Sequence, residues 1–305
     1  MTRAKLLAYA QLLRIPNVFT AFADISMAGC AAGYIADRPG VFALLLLASG
    51  CLYLGGMVLN DVFDRREDAK ARPFRPIPSG RVGVLTAVLL GSTLLAVGVG
   101  LAAVASIVVG PAEPPVTPLV VGAALALCVL LYDGYLKRTP AGPVGMGLCR
   151  FLNVLLGLSG GRPGALPDWL VPHLAAVVGV YIVGVTWFAR TEEGESNRRQ
   201  LAAAALVILA ALGLAITAPA HLPPGTVPFY YPYLVVVFGF YVGSAVTEAV
   251  RRPGPKEVQA AVKRCILGLV ALDAVLATAF AGAGGLLVLL LLLPARRLGK
   301  WVYST

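Results

Sequence analysis

The stretch that decides the fold of this chain is Asn60-Asp61-Val62-Phe63-Asp64-Arg65-Arg66-Glu67-Asp68. It places an amide and several carboxylates at the end of a long apolar segment, where an ionised group is costly unless it has a specific role. In a helix, Asn60, Asp64 and Asp68 recur every fourth residue and lie on one face. Like charges at this spacing repel each other, so the pattern favours a cation bound between them.

A basic segment follows immediately, with the sequence Lys70-Ala71-Arg72-Pro73-Phe74-Arg75-Pro76-Ile77-Pro78-Ser79-Gly80-Arg81. The alternative is a solvated charge cluster stabilised by salt bridges between residues four apart. Asp64 and Asp68 argue against it, because at this spacing they carry like charges and repel each other. Carboxylates beside cations suit a divalent metal that holds an anionic phosphate group. Mg²⁺ is the expected metal, because it takes oxygen ligands and usually keeps waters and substrate phosphates in its coordination shell.

Composition places the chain in a lipid bilayer. It is 58% hydrophobic and 13% charged, with a mean hydropathy of +0.82, and these values are typical of a polytopic membrane protein. Apolar runs of about 17–25 residues, the length that spans a bilayer, predict about nine transmembrane helices near 16–36, 41–60, 83–109, 117–135, 144–160, 170–189, 200–219, 229–250 and 264–283. We therefore predict an all-α bundle that forms a single integral-membrane domain over residues 1–305.

The net charge of +10 is explained by membrane topology, and no nucleic-acid partner is expected. Most of the 25 Lys and Arg residues fall at the N-terminus or in the loops 61–81, 133–143, 190–199 and 251–264. This positive-inside pattern predicts that these loops face the cytoplasm from an inner or cytoplasmic membrane. The basic tail breaks the pattern, because nine spans would leave it outside. Leu286–Pro294 is too short to cross as a helix, so we expect a re-entrant segment or a shifted last boundary.

A second acidic loop follows the sixth predicted span, with the sequence Arg190-Thr191-Glu192-Glu193-Gly194-Glu195-Ser196-Asn197-Arg198-Arg199. It comes four spans after the first, which predicts a pseudo-repeat of two four-helix halves with a site between them. A helix-terminal charge patch would explain these acids equally well if the loop stood alone. A partner loop on the same side favours a metal site, with the candidate metal ligands Glu192, Glu193 and Glu195 and the candidate phosphate ligand Arg190.

Three further pairs of polar residues are candidates for substrate binding: Lys137 and Arg138, Arg150 and Asn153, and Arg14 and Asn17. The first pair either anchors the protein at the membrane surface or binds a diphosphate. The second pair lies on one helix face inside a predicted span, where an arginine marks a functional site by default. Asp273, inside the last span, is explained equally well by a buried hydrogen bond. No Ser/His/Asp or Cys/His arrangement can be placed on one side of the membrane, so a hydrolase is not expected.

These motifs resemble the signatures of the UbiA superfamily of intramembrane prenyltransferases. The first match is Asn60-Asp61-x-x-Asp64-x-x-x-Asp68, followed by Arg72-Pro73-x-Arg75-Pro76-x-Pro78-x-Gly80. The second match combines Tyr132 with Lys137-Arg138-Thr139 and Gly142. The segment that continues from Gly142 to Gly157 is closer to the EboC-like branch than to the members of quinone pathways.

The resemblance implies a helical bundle with a central cavity and two Asp-rich loops that bind Mg²⁺ and an isoprenyl diphosphate. It implies that Asn60, Asp64 and Asp68 bind metal with Asp61 in support, that Arg72, Lys137 and Arg138 hold the diphosphate, and that the pocket floor contains Arg14 and Asn17. The second acidic loop departs from the corresponding family signature, whose two aspartates would fall at Ala189 and Glu193. The first of these is missing, which leaves the second metal and the usual acceptor chemistry open.

We therefore predict an enzyme that transfers an isoprenyl group from a polyprenyl diphosphate to a small aromatic or other polar acceptor. Mg²⁺ and cationic side chains would stabilise the charge on the departing diphosphate, and catalysis would depend on Asp64 and Asp68. An apolar cavity in the bilayer would hold the prenyl tail and keep water from the carbocation. The alternatives are a transporter or binding protein for an anionic substrate, and a CDP-alcohol phosphotransferase-type or cyclase activity on a similar bundle.

Overall fold

The computed structural model describes residues 3–110, 117–190 and 196–302. Within these ranges the chain is helical, without strands, and the predicted all-α fold is confirmed. The helices are α1 (Arg3–Leu12), α2 (Val18–Ala31), α3 (Pro39–Phe63), α4 (Arg65–Ala71), α5 (Val84–Val109), α6 (Pro118–Gly134), α7 (Gly142–Leu158), α8 (Leu170–Ala189), α9 (Arg198–Thr217), α10 (Tyr231–Arg251), α11 (Pro255–Ala281) and α12 (Leu292–Trp301). Short 3-10 segments join some of them, at Ile15–Asn17, Leu136–Arg138, Ala218–His221 and Gly282–Leu291.

The described helices make the protein a polytopic membrane protein. Six helical runs are long and apolar enough to cross a membrane, and the bent pair Arg3–Leu12 and Ile15–Ala31 raises the number to seven. Each of the nine predicted segments coincides with a helix, but α6 and α7 have only 17 residues each. Such a helix reaches about 25 Å, less than the roughly 30 Å of a hydrocarbon core. The predicted count of nine spans is therefore not confirmed.

Small residues bring α7 into direct contact with its neighbours. A Cβ atom on Gly147 would lie 2.6 Å from the backbone oxygen of Gly179 in α8. A Cβ atom on Gly157 would lie 2.6 Å from the Cβ atom of Ala28 in α2. Close backbone approach of this kind holds helices together in lipid, where the hydrophobic effect does not drive their association. The packing fixes α7 between α2 and α8, and with it the polar side chains that α7 carries.

The chain reverses its direction after α11. Gly282 has a φ angle of 57°, which lies in the left-handed region that favours glycine. Three residues later, Gly285 lies so close to the backbone of Ala277 and Thr278 that a Cβ atom there would overlap it. The segment Gly282–Leu291 therefore runs back along the helix that precedes it.

The returning segment brings the basic tail to the end of the bundle that carries the Asn60–Asp68 stretch, here called the motif end. α12 packs against the turn Ile15–Asn17, and the Arg3 guanidinium lies 6.0 Å from the centre of the Trp301 ring. A 3-10 helix rises about 2.0 Å per residue, so ten residues reach about 20 Å, and α12 adds about 15 Å. The sequence predicts that Leu286–Pro294 is too short to cross the bilayer as an α-helix. The structure instead extends the returning segment from Gly282 to Trp301, and its first ten residues form a 3-10 helix. The tail lies on the motif side, as its positive charge favours.

The reversal makes Gly285 sensitive to substitution. We expect Gly285→Ala to destabilise the protein by about 1–3 kcal/mol, because the added methyl group overpacks the backbone of α11. Gly284→Ala is the matched control, because a Cβ atom at Gly284 has no neighbour within 4 Å. Thermal unfolding of both variants in the same detergent measures the difference, and equal melting temperatures would contradict the reversal.

Candidate active site

A cavity of about 260 Å³ lies between α2, α3, α6 and α7. Its middle is mainly apolar, and polar side chains line its two ends. The motif end of the cavity has Arg14, Asn60, Tyr132 and Asp133, and the opposite end, here called the deep end, has Ser49, Tyr53, Arg150 and Asn153. On α3, Ser49 and Asn60 are separated by about 16 Å along the helix axis. The cavity therefore connects two distinct polar clusters through an apolar passage.

At the motif end, two oxygen atoms converge on one ammonium group. Asp64 lies between α3 and α4, and its Oδ1 is 2.6 Å from Lys137 Nζ and 3.2 Å from Arg138 Nη2. Lys137 Nζ also donates a hydrogen bond to Asn60 Oδ1 at 2.9 Å. The structure thus brings together Asn60, Asp64, Lys137 and Arg138, as the sequence predicted. We call these four residues the Lys137 cluster.

Two arginines hold the other aspartates of the first motif. Arg14 Nη2 lies 2.7 Å from Asp61 Oδ1. Arg75 Nη1 lies 2.7 Å from Asp68 Oδ2 and 3.5 Å from Asp61 Oδ1. The Arg75 side chain is only 7% exposed, so these contacts form in a poorly solvated place where an unpaired charge is costly. Arg75 therefore ties α4 to the end of α3.

The predicted shared face of the first motif is divided in two. Asn60 and Asp64 turn to Lys137, whereas Asp68 turns to Arg75. The physical reason is that the basic segment folds back and places a buried guanidinium beside Asp68. Arg75 was not selected as a site residue from the sequence, although it stands in the Arg-Pro-x-Arg-Pro pattern.

Arg14 carries backbone strain. Its φ and ψ angles are 46° and 47°, and among the described residues no other non-glycine residue has a positive φ. This conformation costs about 1–3 kcal/mol and persists where surrounding contacts hold it, which here include the ion pair with Asp61. Asn17 lies in the adjacent turn, half-buried, and is not among the residues that line the cavity. Of the two residues predicted for the pocket floor, only Arg14 lines the cavity, and it lies at the motif end.

The other predicted ligands lie around the motif end or outside the described residues. Arg72 follows α4 and is half-buried. Arg190, at the end of α8, donates a hydrogen bond to the backbone oxygen of Thr139 at 2.8 Å. It thereby braces the loop that carries Lys137 and Arg138. Three predicted metal ligands lie outside the described residues: Glu192, Glu193 and Glu195.

At the deep end, Arg150 and Asn153 bind a buried carboxylate. Asp24 Oδ2 accepts hydrogen bonds from Arg150 Nη1 at 3.0 Å and from Asn153 Nδ2 at 2.8 Å. Arg150 also donates to Thr20 Oγ1 at 2.7 Å, and its guanidinium lies 5.2 Å from the centre of the Tyr53 ring. This network joins α2, α3 and α7 in the interior of the bundle.

The deep network is distant from the first acidic motif. Tyr53 and Asp64 are separated by about 16 Å along α3, so the structure does not bring Arg150 and Asn153 together with the Lys137 cluster. The role of this pair in diphosphate binding remains a prediction, because both residues line the same cavity as Asn60. Asp24 was not selected from the sequence, although an ionisable residue inside an apolar span is itself a signal.

Asp273 adds a second carboxyl group to this network. It is fully buried, and its carboxyl group contacts that of Asp24. Apart from this contact between the two carboxyl groups, the Asp273 oxygens and Asp24 Oδ1 have no hydrogen-bond partner in the part of the chain that the structure describes. The buried hydrogen bond that the sequence suggested for Asp273 is this contact with Asp24, which requires a proton on one of the two carboxyl groups.

The chemistry of the motif end fits a cation. Asn60 and Asp64 offer oxygen atoms to a single point, and the Lys137 ammonium group stands there as a positively charged substitute for a metal ion. Oxygen ligands of this kind suit Mg²⁺, which also needs waters or phosphates to complete its shell. Within residues 3–110, 117–190 and 196–302, no three Asp, Glu, His or Cys side chains converge on a common metal position. The described residues alone therefore do not complete a metal site.

The two buried aspartates at the deep end should respond differently to the same substitution. We expect Asp24→Asn to destabilise the protein by about 3–5 kcal/mol, because it leaves the Arg150 charge without its partner. Asp273→Asn should change stability by less than about 1 kcal/mol, because the new amide donates to the unpaired oxygen of Asp24. Thermal unfolding in detergent compares the two variants, and a larger loss in Asp273→Asn would contradict this account of the network.

Comparison with known proteins connects this geometry to one family. The sequence pattern of the UbiA prenyltransferase family matches residues 18–263. The chain is 33% identical over 166 residues to a digeranylgeranylglyceryl phosphate synthase of Methanopyrus kandleri, a match that covers 53% of this chain and 56% of that protein. It is 30% identical over 165 residues to the enzyme of the same name from Saccharolobus solfataricus, and covers 54% of each chain. The chain thus spans about half the length of the curated relatives that it matches.

Solved structures share the fold over nearly the whole chain. One, from work on digeranylgeranylglyceryl phosphate synthase in membranes, has a TM-score of 0.67 at 20% identity and covers 91% of this chain and 99% of that one. A UbiA homologue from Archaeoglobus fulgidus bound to GPP and Mg²⁺ has a TM-score of 0.61 at 13% identity and covers 88% and 99%. At these identities the structures show the fold alone. Together with the match to the family pattern over residues 18–263, they lead to one conclusion: this chain belongs to the UbiA prenyltransferase family.

Proposed function

We propose that the protein transfers an isoprenyl group from a prenyl diphosphate to a polar acceptor within the membrane, with Mg²⁺ as cofactor. The observation that carries the proposal is the convergence of Asn60 and Asp64 on the Lys137 ammonium group. This convergence lies at one end of a mainly apolar cavity. Oxygen atoms that can bind a cation, an ammonium group that can bind phosphate and a cavity that can hold a hydrocarbon tail therefore lie side by side.

Charges around the motif end support the binding of an anion. Three aspartates are paired there with four cationic residues: Arg14, Arg75, Lys137 and Arg138. A metal ion bound by Asn60 and Asp64 would release Lys137 from its present partners, since both would compete for the same oxygen atoms. The freed ammonium group and the half-exposed Arg138 would then bind the diphosphate, as charge-assisted hydrogen bonds to phosphate oxygens are strong.

Asn60 and Asp64 are the residues that we propose as magnesium ligands. When bound there, Mg²⁺ would stabilise the negative charge that develops on the departing diphosphate. Asp61 and Asp68 support the site through Arg14 and Arg75, which hold the end of α3 against α4 and the basic segment. A second metal at Glu192, Glu193 and Glu195 remains a prediction, as does the pseudo-repeat of the two halves.

The cavity between the two polar clusters suits a reaction that passes through a carbocation. Its apolar wall is formed by side chains such as Leu52, Leu125 and Val129, which exclude water without offering a nucleophile. Cleavage of the allylic carbon–oxygen bond leaves the electron pair on the diphosphate, and the acceptor then supplies the electrons for the new bond.

The relatives guide the choice of acceptor. Their name states that they produce digeranylgeranylglyceryl phosphate, so a glyceryl phosphate that carries one prenyl group is the first acceptor to test. Aromatic and other polar metabolites follow. Membership of the UbiA family favours prenyl transfer over a CDP-alcohol phosphotransferase reaction. We further propose that the motif end faces the cytoplasm, because the N-terminus, the motif loops and the returning tail are all basic there.

The proposal predicts Mg²⁺-dependent release of diphosphate from geranylgeranyl diphosphate by the purified protein when a competent acceptor is present. Chelation of the metal should abolish transfer. Asp64→Asn should lower the transfer rate by about 100-fold or more, because it removes a charged ligand from the position where transition-state charge is balanced. Mass detection of the prenylated product over a panel of acceptors measures the reaction.

Asp37→Asn is the matched control, because the Asp37 side chain is 62% exposed and lies on a loop away from the cavity. It should keep the wild-type rate. If Asp64→Asn retained full Mg²⁺-dependent transfer, the proposed site would be wrong. If the wild type bound geranylgeranyl diphosphate but released no diphosphate with any acceptor, the protein would be a carrier or a binding protein instead.

A further inference from the structure

Asp133 is a buried carboxylate that has no partner among the residues that the structure describes. It is 3% exposed and lines the cavity at the motif end. Among the described residues, it makes neither a hydrogen bond nor an ion pair, although almost every other acid around the cavity has one. Its carboxylate oxygens are not sealed inside the protein, so they are open to a hydrogen-bond donor in the cavity.

The position of Asp133 on its helix makes its negative charge less favourable. It is the second-last residue of α6, where the partial negative charge of the helix end disfavours a further negative charge. Lys137 lies four residues later and would be the natural partner. Its ammonium group instead turns away to Asn60 and Asp64. The Asp133 carboxylate therefore remains available to accept a hydrogen bond, because Lys137 does not donate one to it.

The charged groups that act on Asp133 are those of the proposed transfer site. Lys137 acts on it most strongly among them, followed by Asp64, Arg14 and Asp61. Asp133 nevertheless does not join the other carboxylates around a common metal position in the described part of the chain. Its open side is the cavity, where the prenyl group and the acceptor would meet. A hydrogen-bond donor from a ligand in the cavity would satisfy it.

We propose that Asp133 binds the acceptor and takes its proton during prenyl transfer; this inference rests on the proposed function. The acceptor belongs to the class that offers an O–H, N–H or activated ring C–H group to the cavity. The carbon–oxygen bond of the prenyl diphosphate breaks, and its electron pair leaves with the diphosphate. A bond forms between the prenyl carbon and the acceptor atom, and the proton of that atom passes to the Asp133 carboxylate. A base placed in this way typically contributes a factor of about 10²–10⁴ to the rate.

The test separates binding of the donor from the transfer step. The donor is geranylgeranyl diphosphate with Mg²⁺, and the acceptor is geranylgeranylglyceryl phosphate or, failing that, the first acceptor in the panel that the wild type prenylates. Single-turnover kinetics give the transfer rate, and calorimetry with geranylgeranyl thiodiphosphate and Mg²⁺ gives the affinity for the donor. The variants are Asp133→Asn and Asp133→Glu, and the control is Asp168→Asn on an exposed loop.

We expect Asp133→Asn to transfer at least about 100-fold more slowly while its affinity for the thiodiphosphate stays within about threefold of the wild type. Asp133→Glu should recover part of the rate, which a purely structural role would not predict, because the longer side chain is harder to accommodate. Asp168→Asn should match the wild type in both measurements.

Two results would overturn the inference while leaving the proposed function standing. One is transfer by Asp133→Asn within about threefold of the wild-type rate. The other is a loss of donor affinity as large as the loss of rate, which would place Asp133 in metal–diphosphate binding. A wild type that transfers to no acceptor would overturn the proposed function, and this inference would fall with it.

Discussion

The ion pair between Lys137 and Asp64 is the interaction on which the rest of the site depends. Charges at the edge of a bilayer are costly unless they are paired. Here the first acidic motif is matched by cations from three places: Arg14 before the Ile15–Asn17 turn, the basic segment, and the Leu136–Arg138 turn. This matching lets a strongly charged cluster form before any ligand binds. In the proposed reaction, a metal ion and a diphosphate would exchange partners with these charged side chains, which would lower the electrostatic cost of binding them.

Helix packing determines where these charges can lie. The close contact of Gly147 with Gly179 holds α7 against α8 and places Arg150 opposite Tyr53. At the other end of the cavity, Arg190 bonds to the loop after α6 and so supports Lys137. The two polar clusters are thus attached to rigid helices at a fixed separation along α3. The apolar passage between them is the space in which a carbocation could be protected.

The sequence predicted the features that depend on a local pattern of residues. It did not predict how far a side chain lies from the first acidic motif, or which distant side chain it pairs with. The apolar runs placed the helices well, because length and hydropathy are local properties. Helical spacing brought Asn60 and Asp64 together correctly. It gave no sign that Asp68 would bind Arg75 instead, because that contact requires the basic segment to fold back. For Arg150 and Asn153, the spacing gave the shared face but not the distance from the motif.

The most direct test of this account is a structure of the protein with geranylgeranyl thiodiphosphate and Mg²⁺. We expect a metal ion bound to the oxygen atoms of Asn60 and Asp64, with the Lys137 ammonium group moved from these atoms to the diphosphate. The prenyl tail should lie in the apolar part of the cavity. A structure in which the diphosphate binds elsewhere while Lys137 keeps its contacts with Asn60 and Asp64 would contradict the central claim.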